Sequence, residues 1–332
     1  MRGEISQKLL FAKLKTTVGE KTLIKQLSII LPVSTASIYR RVNGEKLLTI
    51  QEIISLSKSF NISYNELFNY VPKDEVIFNF KYDKLNQDFV GYLNDITQNL
   101  NFIQSFQDHT MIYSAKDIPI WHYFGCKYLK SFKIYYFLRT IKKDPNFKNK
   151  VFNFDCIPDL YINAANKSFQ AYSQINSEEL WTPSSLNIML GQVKYYYQSD
   201  IITQNQFEII TEKLIELLDS IKSQAAKGKK NNASSDIREN YKIYLSEIIG
   251  GDNVIYAEGG GNKITFHPPV LMNYLHTTDI AFCDYIKSAF EIAKGTSELI
   301  STVAEKSRNM FFNKLKKEVL VLKKTLFNDY SH

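Results

Sequence analysis

The side chains best suited to molecular recognition lie between residues 34 and 46. Small or hydroxylated residues open a short predicted helix there, and a tyrosine and basic residues follow. Small side chains let a helix approach base edges in a DNA major groove, where hydroxyl and guanidinium groups can form hydrogen bonds. The candidate DNA-contacting residues are Ser34, Thr35, Ala36, Ser37, Tyr39, Arg40, Arg41, Asn43 and Lys46. We expect Tyr39 and Arg40 to reach bases or phosphates, and Arg41, Asn43 and Lys46 to follow the sugar-phosphate backbone.

The elements that would position these residues follow a helix-turn-helix pattern over residues 27–44. Pro32 ends one predicted helix, and Ser34 can cap the next. Ile38 lies four residues after the cap, where a recognition helix turns its buried face inward. The Asn43-Gly44 step supplies a left-handed stop.

This stretch resembles the helix-turn-helix domain of Cro/CI-type (XRE-type) regulators. Residues 33–38 lead into a helix closed by an Asn-Gly step, and a further helix and a Ser-Tyr-Asn-Glu-Leu ending follow. The resemblance covers residues 5–68 and implies a DNA-binding domain. Two positions depart from the family pattern: Val42 stands where Glu is often found, and Ile24 stands where a phosphate-contacting Gln is frequent. The remaining chain is similar to the companion region of larger bacterial regulators, and that likeness assigns no site.

Apolar spacing, caps and breakers predict five short helices in the first domain, residues 1–70. They cover residues 5–17, 23–31, 35–42, 50–60 and 63–68. A change in composition at Pro72 and at the following Lys-Asp-Glu run predicts a linker over residues 71–85.

The larger region, residues 86–332, is also predicted to be mostly helical. Its predicted helices cover residues 86–106, 121–141, 159–175, 183–198, 204–224, 270–275, 280–293 and 296–327, with a mobile loop at 225–236. Strand-like runs at 241–249, 254–258 and 263–267 are separated by glycine-rich steps, which predicts a small antiparallel meander. The predicted fold class is therefore mainly α, with one small β-meander.

Two apolar stripes in that region have heptad-like spacing. They comprise Phe89, Leu93, Ile96, Leu100 and Ile103, and Phe312, Leu315, Val319, Leu322 and Leu326. Each spans only two heptads, so a dimer interface and packing within the chain are equally compatible with the spacing.

The spacing of the remaining histidine, cysteine and aspartate residues indicates neither a metal site nor a catalytic site. We therefore expect no metal, no cofactor and no enzymatic activity. The spacing of His267, His276 and Cys283 matches no standard zinc pattern, and Cys283 is interpreted as a small core residue. Asp117 and His122 lie close in sequence, but no nucleophile, base and orienting group can be assembled from the sequence there.

The three consecutive glycines at 259–261 lack a following Lys-Ser or Lys-Thr. They are interpreted as a hairpin turn rather than a phosphate-binding loop.

Composition and charge complete the prediction. The 332 residues include 44% hydrophobic and 23% charged side chains, which is typical of a globular protein. Residues 1–72 carry +5 of the net charge of +7, which favours an anionic partner for that end of the chain. No run of 18 apolar residues exists, and three widely spaced cysteines favour a reducing cytoplasm over a disulfide framework.

We therefore expect a cytoplasmic, sequence-specific transcriptional regulator. Its expected partners are double-stranded DNA, a second copy of the chain and a possible small-molecule effector, with no membrane partner. Two alternatives stay open: a protein-interaction adaptor with a helical-bundle N-terminal domain, and a DNA-targeted enzyme.

Overall fold

A computed structural model describes residues 2–60, 75–80, 89–247, 253–270 and 273–329. The chain divides into two compact units, residues 1–77 and residues 78–332. The second half of the predicted linker belongs to unit 2, because Asn79 pairs with His276 in a β-bridge and Phe78 packs edge-on against Phe282.

In the part of unit 1 that the structure describes, the regular elements are all helices. The helices are α1 (Arg2–Val18), α2 (Glu20–Ile30), α3 (Thr35–Val42) and α4 (Ile50–Phe60). The predicted bounds of α3 and α4 are confirmed, while α1 and α2 begin three residues earlier than predicted. The predicted fifth helix, 63–68, lies outside the described residues. The core comprises Leu10, Phe11, Leu14, Leu23, Leu27, Leu31, Ile38, Val42 and Leu56.

Unit 2 is built on a seven-stranded mixed sheet within its described residues, so the predicted mainly-α class with a small meander is wrong. The strands are β1 (Thr110–Ser114), β2 (Ser177–Trp181), β3 (Tyr241–Leu245), β4 (Val254–Gly259), β5 (Asn262–Val270), β6 (Asn273–Thr277) and β7 (Glu298–Leu299). Their order is β6-β5-β4-β1-β2-β3-β7. β1 pairs parallel with β2, and β2 pairs parallel with β3; the other pairs are antiparallel.

The sequence prediction failed at the centre of this sheet. All five residues of β2 are buried, as are four of the five in β1, so neither strand shows the polar-apolar alternation of a half-exposed strand. β1 and β2 lie between β3 and β4, which were predicted to be neighbours in a meander. Of the predicted helix at 270–275, the described residues lie instead at the end of β5 (270) and in β6 (273–275).

Helices cover both faces of the sheet. They are α5 (Phe89–Gln104), α6 (Ile120–Phe124), α7 (Lys127–Tyr136), α8 (Pro145–Lys148), α9 (Asp159–Gln174), α10 (Asn187–Gln198), α11 (Gln204–Lys227), α12 (Ile280–Gly295) and α13 (Glu305–Asp329). A π-helical turn, Phe137–Ile141, continues α7. The predicted helix at 121–141 is therefore divided into α6, α7 and the π-helical turn. The predicted helix at 296–327 begins later, at Glu305, and corresponds to α13.

The pleat of β1 divides the core between the two faces. Met111 and Tyr113 join the large cluster under α5, α9 and α11, whereas Ile112 joins Cys283 and Phe290 of α12 on the opposite face. The same alternation places Glu179 and Glu178 on opposite faces.

Both heptad-like stripes pack inside unit 2. Four of the five members in α5 and four of the five in α13 are buried in the large core cluster, and Ile96 and Leu322 pack against it. These stripes are therefore packing surfaces within the chain, and a dimer would need another surface.

Candidate functional site

The surface of α3 presents most of the residues predicted to contact DNA. Ser34 caps the helix, since the Ser37 amide donates to its Oγ at 3.4 Å. Ser34, Thr35, Ala36, Tyr39, Arg40, Asn43 and Lys46 are exposed, and Ser37 is half-buried. Ile38 is fully buried, as its position four residues after the cap predicts. The exposed face therefore combines small, hydroxyl, aromatic and cationic groups on one short helix.

Arg41 is the exception among these candidates, because its side chain is only 3% exposed. Its Nε donates to Glu52 Oε2 at 3.0 Å, and its Nη2 donates to Glu52 Oε1 at 2.6 Å. Its Nη1 donates to the Ser37 carbonyl at 3.2 Å. The role predicted for Arg41, contact with the DNA backbone, does not fit this geometry: the guanidinium joins α3 to α4 instead.

The Arg41–Glu52 pair is satisfied on both sides. Burial raises the pKa of the Glu52 carboxyl, but hydrogen bonds from Arg41 and from the Thr49 backbone outweigh burial, so the pKa lies below its ordinary value. The ion pair is therefore charged at neutral pH.

Gln7 supports the segment after α3, a role that the sequence pattern did not indicate. Its Nε2 donates to the carbonyls of Arg41 and Lys46 at 2.7 and 2.8 Å, and its Oε1 accepts from the Leu48 amide at 2.8 Å. Gly44 follows α3 with φ +74°, the left-handed conformation predicted for the Asn-Gly step. Together these contacts fix the backbone that carries Asn43 and Lys46.

A second candidate site is a cavity of about 380 Å³ in unit 2. It lies between the α6–α7 junction, the last turns of α9, the middle of α11 and the segment after α11. Its lining includes His122, Cys126, Tyr128, Phe169, Tyr172, Lys213, Ser220, Gln224 and Lys230. The volume falls within the range of small-ligand sites.

Glu179 organises a buried polar cluster beside this cavity. The fully buried carboxylate accepts from Tyr241 Oη at 3.1 Å, from Trp181 Nε1 at 2.8 Å and from the Tyr172 hydroxyl, and His122 Nε2 lies 3.3 Å from its Oε2. Burial raises the pKa of Glu179, but the charge and hydrogen bond of His122 outweigh burial and hold it below its ordinary value.

The same cluster determines which nitrogen of His122 carries a proton. Nε2 also lies 3.2 Å from the hydroxyl oxygens of Tyr172 and Tyr241. Burial raises the pKa of both tyrosine hydroxyls well above the ordinary value, and the nearby Glu179 carboxylate raises it further. Both hydroxyls therefore stay protonated and donate to Glu179. Nε2 therefore faces three acceptors and carries hydrogen.

Lys230 occupies the segment predicted to be a mobile loop, but it is buried. Its Nζ donates to the Ile175 and Asn240 carbonyls and lies 4.2 Å from the centre of the Tyr172 ring. Burial lowers the pKa of Lys230 to about 7, against the opposing effect of Glu179. Gly228 caps the C-terminal end of α11 with a left-handed φ of +66°. The chain therefore turns sharply after the helix, and this turn brings Lys230 into the interior of the protein.

The sequence drew attention to Asp117 and His122, but the structure gives them different partners. Asp117 accepts from Tyr123 Oη at 3.1 Å and from Lys133 Nζ at 3.2 Å, whereas His122 turns to Glu179, 57 residues away. The sequence contains no local signal for Glu179, because the stretch Asn-Ser-Glu-Glu-Leu-Trp mixes polar and apolar residues without a clear pattern.

His267 and His276 lie in the paired strands β5 and β6 and pack against aromatic rings. Cys283 is fully buried between α12 and the sheet, which confirms its interpretation as a small core residue.

The glycine run forms the predicted hairpin turn. Gly259 pairs with Asn262, and Gly260 and Gly261 have φ values of +54° and +81°. Two consecutive left-handed residues match a two-residue hairpin turn.

Comparison of the chain with protein-family models, curated proteins and solved structures gave no match. Of the helices in the described residues, none combines the length and apolar character that crossing a membrane requires.

Proposed function

We propose that this protein is a sequence-specific DNA-binding transcriptional regulator that reads DNA with α3. The observation that carries this proposal is the division of the two adjacent arginines. Arg41 is buried against Glu52 and locks α3, while the side chain of Arg40 is 62% exposed beside Tyr39. A rigid helix with a small, hydroxylated start and outward cationic and aromatic groups suits insertion into a major groove.

The exposed candidates divide by the chemistry that they offer. Thr35 and Ala36 open the helix and allow close approach to base edges, and Tyr39 and Arg40 follow one turn later. Asn43 and Lys46 lie beyond the helix, on the segment held by Gln7, where they suit phosphate contacts. In this proposal, Arg41 positions α3 and does not contact DNA.

The regulator is proposed to act as a cytoplasmic homodimer. One recognition helix reads only a few base pairs, and two helices spaced by about 34–36 Å would read two half-sites on one face of DNA. The three cysteines are free thiols, which agrees with a reducing compartment. Unit 2 would supply the pairing surface and the site for an effector. Mass measurement in solution by light scattering tests the dimer, and a monomer at every concentration would contradict it.

Enrichment of binding sites from a random pool of duplex DNA tests the main proposal. Wild type is compared with the Tyr39→Ala, Arg40→Ala double variant and with Lys58→Ala, which removes an exposed cation on α4. We expect a palindromic motif from wild type and Lys58→Ala, and loss of that motif in the double variant.

Two results would contradict the proposal that α3 reads DNA. Absence of duplex binding even at low salt, where non-specific association is strongest, would favour a protein-interaction adaptor. Retention of the same motif by the double variant would contradict base reading by α3. The buried His122–Glu179 pair keeps an enzymatic unit 2 as a second candidate, and turnover of a generic substrate that depends on His122 would favour it.

A further inference from the structure

The cavity in unit 2 contains a buried histidine with one ring nitrogen left for a ligand. His122 is only 5% exposed, lines the cavity and directs Nε2 toward Glu179. Among the described residues, no group forms a hydrogen bond with Nδ1 of His122. With Nε2 engaged by Glu179, Nδ1 is the ring nitrogen left to form a hydrogen bond, so a complementary ligand presents a polar edge to it.

The walls beside His122 are aromatic and flat. Tyr128 and Phe169 line the cavity with partly exposed rings, whereas the buried Tyr172 ring stacks on Trp121 at 4.6 Å and lies 4.2 Å from Lys230 Nζ. Gly125 lines it as well, and a Cβ there would lie 3.0 Å from Phe169 Cζ, so the absence of a side chain leaves the Phe169 ring uncovered. Aromatic faces of this kind favour a planar ring by offset stacking.

The charged side chains of the cavity favour an anion. Lys127 and Lys213 line it with one carboxylate, Glu216, while the ammonium of Lys230 is already bonded to the Ile175 and Asn240 carbonyls. Lys213 pairs with Glu216 at 2.8 Å, and Lys127 pairs with Asp155 at 2.7 Å. Both pairs are partly exposed, so they contribute little and can exchange a carboxylate for an anionic ligand.

We propose that this cavity binds a nucleotide, with the base against the rings of Tyr128 and Phe169 and its polar edge toward His122 Nδ1, and with the phosphate at Lys213 and Lys127. A cavity of about 380 Å³ suits a ligand of nucleoside monophosphate size. A base edge carries both hydrogen-bond donors and acceptors, which a single ring nitrogen in an apolar wall can pair with. The proposal concerns unit 2 alone and does not rest on DNA binding by α3.

Calorimetric titration of the full chain at low ionic strength, without DNA, tests this proposal. The probes are the four ribonucleoside 5′-monophosphates, their nucleosides, ribose 5-phosphate and inorganic phosphate. We expect saturable binding of at least one nucleotide and about tenfold weaker binding of its nucleoside, since a charged hydrogen bond is lost. Ribose 5-phosphate and phosphate, which lack the ring, should bind more weakly than the nucleotide.

Three variants locate the site. Lys213→Ala should weaken nucleotide binding by about tenfold and leave nucleoside binding nearly unchanged. Ser220→Phe should fill the cavity and abolish binding of both. Lys227→Ala removes an exposed lysine at the end of the same helix and should change neither. Thermal unfolding of each variant verifies its fold, and Lys213→Ala decides the outcome if Ser220→Phe does not fold.

Nitrogen NMR of the histidine rings gives an independent readout, since the chain has only five histidines. The Nδ1 resonance of His122 should move when the nucleotide saturates the protein, because it gains a hydrogen bond. The proposal is overturned if no nucleotide binds, if Lys213→Ala binds like wild type, or if this resonance stays unmoved at saturation.

Discussion

At the residue scale, adjacent basic residues have different roles. Arg40 and Arg41 look alike in sequence, yet only Arg41 meets a buried carboxylate. The helical period explains the difference: Arg41 follows Ile38 by three residues on the same face, whereas Arg40 is turned away from it. An arginine within a short helix can therefore support that helix from its buried face.

Removal of one partner from this pair should destabilise unit 1. We expect Arg41→Ala to lower its free energy of unfolding by about 3–5 kcal/mol, because Glu52 would be left buried without its main donor. The Arg41→Met, Glu52→Leu double variant should lose less than Arg41→Ala. Urea denaturation followed by circular dichroism checks both, and equal losses in the two variants would mean that the stranded carboxylate is not the cause.

Lys230 should make stability depend on pH above neutrality. Its pKa is about 7 in the folded protein and 10.5 in an ordinary environment, so the unfolded chain binds more protons between these values. Its contribution to the free energy of unfolding therefore rises with pH across this window, by at most about 1.4 kcal/mol per pH unit.

Lys230→Met provides the comparison for this effect. Urea denaturation between about pH 7.5 and pH 9 should show a positive pH dependence in wild type and a flatter one in the variant. The same slope in both proteins would assign the pH dependence to another group.

At the element scale, the β4–β5 hairpin shows why three glycines stand together. Gly260 and Gly261 have left-handed backbone angles, whereas Gly259 is required for space. A Cβ at Gly259 would lie 2.6 Å from the Gln107 carbonyl oxygen and 2.9 Å from His109 Cα, and neither backbone atom can move freely. The hairpin is thus packed against the segment that leads into β1.

Two glycine substitutions distinguish the need for space at residue 259 from the need for a left-handed backbone angle at residue 261. Gly259→Ala should lower the free energy of unfolding by about 2–3 kcal/mol through overpacking. Gly261→Ala has open space around its Cβ and should cost only about 1–2 kcal/mol, the penalty of the left-handed angle. Chemical denaturation measures both, and an equal or smaller loss for Gly259→Ala would show that the backbone yields.

At the scale of the whole molecule, each unit has its own core. The apolar cluster of unit 1 contains residues from α1 to α4, and the clusters of unit 2 contain residues from α5 onward. We therefore expect two unfolding transitions in calorimetry, with Arg41→Ala lowering the temperature of only one. A single transition that shifts as a whole in this variant would mean that the units unfold cooperatively.

The sequence by itself determined the parts that depend on neighbours a few residues apart. Ser34 caps α3, Gly44 adopts the left-handed angle after it, and the bounds of α3 and α4 follow from caps and apolar spacing. The glycine hairpin belongs to the same class. Such features are determined by interactions within one turn of the chain, so their residue types are sufficient evidence.

Only the tertiary structure decided the order of the strands and the buried polar partners. β1 and β2 lie between β3 and β4 because the sheet joins segments far apart in the chain, and their buried sequences carry no alternation. Likewise, only the fold places Glu52 where it can pair with Arg41, and His122 is oriented by a glutamate 57 residues away. A buried charge or polar group without a hydrogen-bond partner costs free energy. The orientation of each buried side chain therefore depends on which partner the fold brings to it, and that partner can lie far away in the sequence.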